Sequence, residues 1–334
     1  VTSSVRKGNE TVVPVGGRTL PILLVVGPTA VGKSEFALRL AAHVDGEIVS
    51  ADSMQVYRGL DAATAKPDPE TRARVPHHLL DLVEPGSDFS MGDFVRHGEE
   101  AIRGIAARGR APIVVGGTGL YVRALLRGMA EAPRRLPRLR ARLHALALRR
   151  GLAFTHRMLR RVDPETGGRL PERDRQRILR ALEVRFASGR PLSSLLREQP
   201  FGEERYDAIK IGLTMERERL EARIEARVDA FFARGLVDEV RGLLRAGCPV
   251  GANAWKAIGY REARAFVEGD LTLAEARRLT AQETRRYAKR QRTWFRKESG
   301  IAWFTLDPDR PDRFQAPLGH AIGEWTRRKE GAWA

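Results

Sequence analysis

A chain of 334 residues, 42% of them hydrophobic, is long enough to bury a full α/β core and still carry a second module. Its one cysteine, Cys248, excludes an internal disulfide, and no apolar stretch nears the roughly 18 residues of a membrane span, so a soluble cytoplasmic protein is expected. The formal net charge of +17 points to a polyanionic partner, and residues 134–197 concentrate it, with eighteen arginines against five acids where a merely solvated surface would intersperse the signs.

Residues 1–20 mix polar, glycine and charged positions without periodicity and are expected to form a flexible tail. The apolar run Ile22-Leu23-Leu24-Val25-Val26 reads as a buried strand. It leads into Gly27-Pro28-Thr29-Ala30-Val31-Gly32-Lys33-Ser34, which has the spacing of a phosphate-binding loop. Its glycines let successive backbone N–H groups converge on phosphate oxygens, Lys33 adds a mobile positive charge, and Ser34 offers its hydroxyl to a magnesium ion. Helical spacing from Glu35 to His43 turns an N-terminal dipole toward the same point. Glu47-Ile48-Val49-Ser50-Ala51 reads as a second strand that delivers Asp52 and Ser53 to its carboxyl end. Ser90, with Asp93 three residues on, opens a helix that Gly109 stops. Pro112-Ile113-Val114-Val115 is then a buried strand ending in Gly116-Gly117-Thr118-Gly119. Open α/β sheets place their sites beyond the carboxyl ends of the strands, so these ends are expected to converge near the phosphate loop.

From Ala132 the pattern becomes helical and Arg-rich through about Arg185, and Gly189-Arg190-Pro191 to Phe201 breaks the helices. Tyr206 to Leu213 looks like a strand rejoining the core. One helix follows from about Glu216 to Arg234 and another from about Leu273 to Lys297. The expected fold is therefore α/β: a P-loop NTPase-like parallel sheet flanked by helices, with its core at 21–131 and 205–330 and an all-helical insertion at 132–204.

Asp52 ends a strand close to the phosphate loop, where a carboxylate either holds magnesium or accepts a proton from a nucleophile. Asp81 is a second candidate for the metal role. Arg223 and Arg227, one helical turn apart among Glu216, Glu218, Glu221 and Glu225, read equally as a surface ion-pair lattice and as a phosphate clamp. On the last long helix Tyr287, Ala288, Gln291, Trp294 and Phe295 share a stripe, with Arg285, Arg286, Lys289, Arg290, Arg292, Arg296 and Lys297 around it. The stripe anchors the helix while the cations remain free to track RNA phosphates. His77 and His78 are adjacent and point apart, and Cys248 has no ligand-spaced partner, so no metal site of that kind is expected. Trp255 and Tyr260 flank Lys256 and Gly259 in a segment that suggests a loop near the site.

These pieces occur together in one family. The phosphate loop, Asp52-Ser53-Met54-Gln55-Val56-Tyr57-Arg58-Gly59-Leu60-Asp61, Thr64-Ala65-Lys66-Pro67 and Pro76-His77-His78-Leu79-Leu80-Asp81 resemble the tRNA dimethylallyltransferases. The likeness continues through Gly116-Gly117-Thr118-Gly119-Leu120-Tyr121, Arg177-Ile178-Leu179-Arg180-Ala181-Leu182-Glu183, Ile258-Gly259-Tyr260-Arg261-Glu262 and Lys289-Arg290-Gln291-Arg292-Thr293-Trp294. Ala62-Ala63 and Glu172-Arg173-Asp174 depart from the family's usual residues, and neither touches a group assigned to chemistry. The resemblance implies transfer of a dimethylallyl group from dimethylallyl diphosphate to N6 of the adenosine 3′-adjacent to the anticodon, position 37, in tRNAs reading codons that start with U. The phosphate loop, residues Gly27 to Ser34, then holds a leaving diphosphate with Mg²⁺ bound through Ser34, helped by Lys33 and Arg227, and Asp52 becomes the general base. The same analogy assigns Asp52, Ser53, Met54, Gln55 and Thr118 to the extruded adenosine, and Gln176, Arg177, Ile178, Leu179, Arg180, Lys289, Arg290, Gln291, Arg292 and Arg296 to the tRNA. The implied partners are tRNA and the prenyl donor, with a monomer as the working unit. Rival readings are a small-molecule kinase using the loop for ATP, a prenyltransferase acting on free adenine nucleotides, and a non-enzymatic RNA-binding NTPase switch. The first two give no use to the Arg-rich insertion, and the third needs a metal-binding strand aspartate and mobile switch loops, neither of which is assigned.

Overall fold

The computed structural model describes residues 19–129, 133, 136–198 and 202–333. Of the expected tail only Thr19 and Leu20 fall within these, and the insertion's expected first residue, Ala132, lies outside them. The chain folds as two units. One comprises the described residues up to Leu126 and from Glu204 onward, the other those from Arg127 to Glu203.

The first unit is built on six strands, β1 (Pro21–Val26), β2 (Gly46–Ala51), β3 (His77–His78), β4 (Ala111–Gly116), β5 (Asp207–Thr214) and β6 (Ile301–Thr305), in the spatial order β3-β2-β4-β1-β5-β6. All five pairings are parallel. Every residue of β1, β2 and β4 is buried, which is why these strands read as continuous apolar runs instead of alternating ones. Each fully buried Val, Leu or Ile side chain there contributes about 1.5–3 kcal/mol relative to exposure. Sequence patterning missed β3 and β6, an edge pair of two and five residues. Around the sheet lie α1 (Lys33–Val44), α2 (Pro69–Arg74), α3 (Met91–Ala107) and α4 (Gly119–Arg127). Ser90 caps α3, accepting from the Asp93 N–H, while Asp93 accepts from the Ser90 N–H in return, so two orphan donors of the first turn are satisfied.

The second unit is all-helical: α5 (Pro137–Arg150), α6 (Leu152–Val162), α7 (Pro164–Arg169), α8 (Arg175–Ser188) and α9 (Leu192–Glu198). Its core is Leu143, Ala147, Leu159, Ile178, Leu179, Ala181 and Leu182. The expected helix break after Gly189 thus contains a further helix, α9. Buried Asp163 steadies it, because its carboxylate accepts from the Ser193 N–H at 3.0 Å and from the Thr166 N–H at 3.1 Å.

Back in the first unit, α10 (Arg217–Ala233), α11 (Leu236–Arg245), α12 (Tyr260–Val267), α13 (Leu273–Phe295) and α14 (Gln315–Trp333) complete the chain. α10 packs on α13, and α14 packs beside α1 against the sheet. No helix among the described residues is long and apolar enough to cross a membrane.

Candidate functional site

Three strand ends meet beside β1 because β4 is its neighbour on one side and β2 lies one strand further on. The loop after β1 runs to Gly32, whose φ of 108° suits a residue without Cβ, and α1 then begins at Lys33 with its free N–H groups facing the loop. Asp52 follows β2 directly. Gly117 follows β4, with the Thr118 N–H bonded to the Ala51 carbonyl at 3.3 Å. Thr118 Oγ1 accepts from the Ser53 N–H at 3.3 Å, and Asp52 Oδ1 accepts from the Met54 N–H at 2.8 Å. The turn after β2 is therefore held on both sides of its carboxylate.

The helix α13 closes over these ends. Gln291 accepts from the Thr29 N–H at 2.8 Å and donates to the Gly117 carbonyl at 3.0 Å. A Cβ at Gly117 would lie 1.8 Å from Gln291 Nε2, and one at Gly119 would lie 2.2 Å from the Trp294 ring. These glycines let α13 dock closely.

Two cavities open around this point. The larger, of about 630 Å³, is walled by Thr29, Ala30, Gly32, Lys33 and Ser34 of the loop together with Gln55, Arg223 and Arg234. The smaller, of about 240 Å³, is walled by Ser53, Met54, Phe231, Lys256, Ile258 and Arg290. Thr29, Asp52, Thr64, Arg227 and Tyr287 line both. The segment around Lys256 that sequence only suggested thus borders the smaller cavity.

The electrostatics of the larger cavity and the shared wall are crowded. Burial, and next the Arg227 charge, pull the Lys33 ammonium down to about 7 against the opposing influence of Asp52. Its Nζ meanwhile donates to the Pro28 carbonyl at 2.8 Å. Burial lowers the Arg227 guanidinium as well, and its buried Nε has no hydrogen-bond partner among the described residues. Burial and the Asp52 charge push the Tyr287 phenol up to about 12, with Thr118 and Gln291 hydrogen bonds acting the other way. A site with two desolvated cations and an unfilled donor is prepared for an anion.

The alternatives open for Arg223 and Arg227 separate here. The glutamates around them pair elsewhere, Glu221 with Arg217 at 2.7 Å and Glu225 with Arg285 at 3.0 Å. Arg223 instead donates to the Ala30 carbonyl at 2.9 Å, so both arginines face the loop. Asp81 does not take the metal role raised for it. Its carboxylate receives Lys66 at 2.6 Å and Arg72 at 2.7 Å, whose hydrogen bonds outweigh burial and hold it below its usual range.

Several residues assigned to tRNA occupy other places. Ile178 and Leu179 are core residues of the helical unit, 0% and 4% exposed, so their side chains are unavailable to a polymer in solvent. Gln291, 4% exposed, is a strut between the loop and β4. Arg180 is tied to buried Glu183 at 2.9 Å, whereas Gln176 is exposed and Arg177, paired with Asp174 at 3.0 Å, keeps a largely exposed side chain. Lys289 and Arg292 line a separate groove between α10 and α13 with Arg217, Arg285 and Arg286. Arg296 is exposed, and Thr118 lies behind Ser53 and borders neither cavity. Of the loop, Gly27, Pro28 and Val31 are buried behind the cavity wall. Sequence reasoning gave no role to Phe231 or to the buried contacts of Tyr287, since both read as ordinary helix-face aromatics.

A donor set for magnesium is present in part. Among the described residues no group of three His, Cys, Asp or Glu forms a cage, but the exposed Ser34 and the half-buried Asp52 share the larger cavity. Magnesium commonly rests on few protein oxygens plus substrate phosphates, so these residues fit it.

Comparison with known proteins agrees with this geometry. A family model described as IPP transferase matches residues 55–298, and one described as isopentenyl transferase matches residues 20–76. The chain is 48% identical over 307 residues to tRNA dimethylallyltransferase 2 of Geotalea uraniireducens, covering 92% of this chain and 98% of that one. It is 52% identical over 288 residues to the tRNA dimethylallyltransferase of Anaeromyxobacter sp. strain K, covering 86% and 94%. The crystal structure of the full-length tRNA isopentenylpyrophosphate transferase of Bacillus halodurans is similar with a TM-score of 0.65 at 36% identity, covering 94% of this chain and 100% of that one. A eukaryotic dimethylallyltransferase captured acting on tRNA gives a TM-score of 0.78 at 26% identity, covering 92% and 79%. A phosphate loop on a P-loop NTPase-like parallel sheet and relatives aligned along nearly their whole length lead to one assignment: the chain belongs to the IPP transferase family.

Proposed function

We propose that this protein transfers the dimethylallyl group of dimethylallyl diphosphate to N6 of adenosine 37 in tRNAs reading codons that start with U, giving N6-isopentenyladenosine. The observation that carries this reading is the wall common to both cavities. Asp52, Arg227 and Thr29 border a phosphate-binding chamber on one side and a smaller chamber on the other, so a donor and an acceptor meet at one carboxylate.

The diphosphate sits on the loop N–H groups and the start of α1, with Lys33, Arg223 and Arg227 around it. The adenosine enters the smaller chamber, extruded from its stack because the N6 amine is otherwise unreachable. The N6 lone pair forms the new bond to the allylic carbon as its bond to the diphosphate oxygen breaks, the N6 proton passes to Asp52, and the diphosphate departs onto the cations. Ser34 would hold Mg²⁺ against the diphosphate, where the ion supplies neutralisation of the charge developing on the leaving group.

The exposed arginines of the helical unit and of α13 supply phosphate contacts that position the RNA. A monomer and a cytoplasmic setting complete this reading, the setting supported by the one cysteine. The test is incubation of the full chain with bulk tRNA, Mg²⁺ and dimethylallyl diphosphate, followed by mass analysis of the nucleosides. An adenosine heavier by one prenyl unit is expected, and phosphate release from ATP with unmodified tRNA would reverse the assignment in favour of a kinase.

A further inference from the structure

The segment after β6 lies beyond the matched family region, which ends at residue 298, yet it packs directly against the phosphate loop. Leu306 is anchored to β5, its N–H donating to the Thr214 carbonyl at 2.8 Å. Asp307 and Asp309 both pair with Arg219 of α10, the latter at 2.9 Å, and α10 is the helix that presents Arg223 and Arg227. Phe314, 2% exposed, then sits under Gly32, where an added Cβ would lie 3.4 Å from its ring. The ring also meets Phe36 of α1 at 5.7 Å between centroids. Arg39 and Arg313 place their guanidinium groups 5.2 and 4.9 Å from its centroid, an arrangement with favourable cation–π character.

Arg313 has a second contact. It donates to both carboxylate oxygens of Glu35 at 2.9 Å, and Arg39 donates to the same carboxylate at 3.0 Å. Glu35 lines the phosphate cavity one residue beyond Ser34. An acid there repels a diphosphate unless its charge is taken up, and the two arginines do so.

We propose that the segment Leu306–Phe314 sets the phosphate loop for its anion, Phe314 bracing Gly32 and the start of α1 while Arg313 neutralises Glu35. The inference rests on the loop holding a diphosphate. Neither residue touches the substrate; both are positioning residues, and small displacements of a binding loop are enough to cost an order of magnitude.

The experiment is titration calorimetry of the full chain with inorganic pyrophosphate and Mg²⁺, followed by steady-state kinetics. Phe314→Ala is expected to weaken pyrophosphate about tenfold, in the range of supporting residues around a site, and Phe314→Leu less than about threefold. Arg313→Gln should weaken it too, more at low salt, and Glu35→Gln added to Arg313→Gln should restore it, which a merely structural contact would not do. In turnover the donor KM should rise while kcat and the tRNA KM hold. A native chain that does not bind pyrophosphate would overturn the phosphate-loop reading itself. Native binding with unchanged affinity in Phe314→Ala, or no restoration by Glu35→Gln, would overturn the brace alone. Should Phe314→Ala fail to fold, the Arg313 and Glu35 pair still decides the question.

Discussion

Replacing Gln291 by Met tests whether α13 is a strut or an RNA contact at that position. The two side chains are close in volume, so the change removes hydrogen bonding without opening a large cavity. Two backbone groups lose their partners, the Thr29 N–H and the Gly117 carbonyl. A buried group left unsatisfied costs about 1–3 kcal/mol. Gly117 is buried and bears the larger share, whereas Thr29 borders a cavity that water reaches, so the sum comes to about 2–4 kcal/mol. Native stabilities lie near 5–15 kcal/mol, so the variant stays folded and measurable. Urea unfolding followed by circular dichroism should show a lower midpoint at an unchanged slope. The salt dependence of tRNA binding should match the native chain, because no charge is lost. A stability loss under about 1 kcal/mol, or a flattened salt dependence, would refute the strut.

Asp52→Asn should lower turnover by about 10²- to 10⁴-fold with tRNA affinity retained in filter binding, as loss of a general base requires. Lys33, held at about 7 in the free protein, is mostly neutral at pH 8 and mostly charged at pH 6, while a bound diphosphate keeps it charged; binding therefore takes up ~0.9 proton at pH 8 and ~0.1 at pH 6 beyond the uptake of Lys33→Met, read from calorimetry in buffers of different ionisation enthalpy. Arg177→Gln should reduce the salt slope of tRNA binding by about one, since its side chain is largely exposed. Arg180→Gln should instead lower the thermal midpoint of the helical unit, because Glu183 is 1% exposed and keeps, among the described residues, the more distant Arg140 at 3.7 Å and the neutral Leu136 N–H at 3.0 Å.

What could be read from the sequence was what is local. The phosphate loop, the strands β1, β2, β4 and β5, and the Ser90 cap declare themselves within a few residues because burial on both faces and capping chemistry are short-range constraints. β3 escaped because His77 and His78 are paired with β2 as a two-residue edge, and β6 because its residues are only half-buried or exposed. The function of Gln291 escaped for a different reason. Its partners Thr29 and Gly117 are 262 and 174 residues away, and a glutamine on an apolar stripe carries no sign of them. Arg223 and Arg227 could not be separated from their neighbours until the glutamates were seen to choose Arg217 and Arg285. Phe314 had no periodic or motif signal at all, being a lone aromatic in a loop of charged residues.

The charges around the phosphate chamber sort into those already answered and those left over. Lys66 is answered by Asp61 at 2.7 Å and Asp81 at 2.6 Å, Glu35 by Arg39 and Arg313, and Asp68 accepts from the Thr71 N–H at the start of α2. Lys33, Arg223 and Arg227 remain around Asp52, and burial disfavours the charged forms of Lys33 and Arg227. An arriving diphosphate relieves that crowding, and relief grows with the negative charge it carries. The ester is less anionic than the free diphosphate it becomes as the carbon–oxygen bond stretches, so the cations favour the later species. In the proposed reaction the loop's residual positive charge would thus favour ionising departure. Asp52, in the wall common to both cavities, would complement it by taking the proton that the new nitrogen–carbon bond makes acidic.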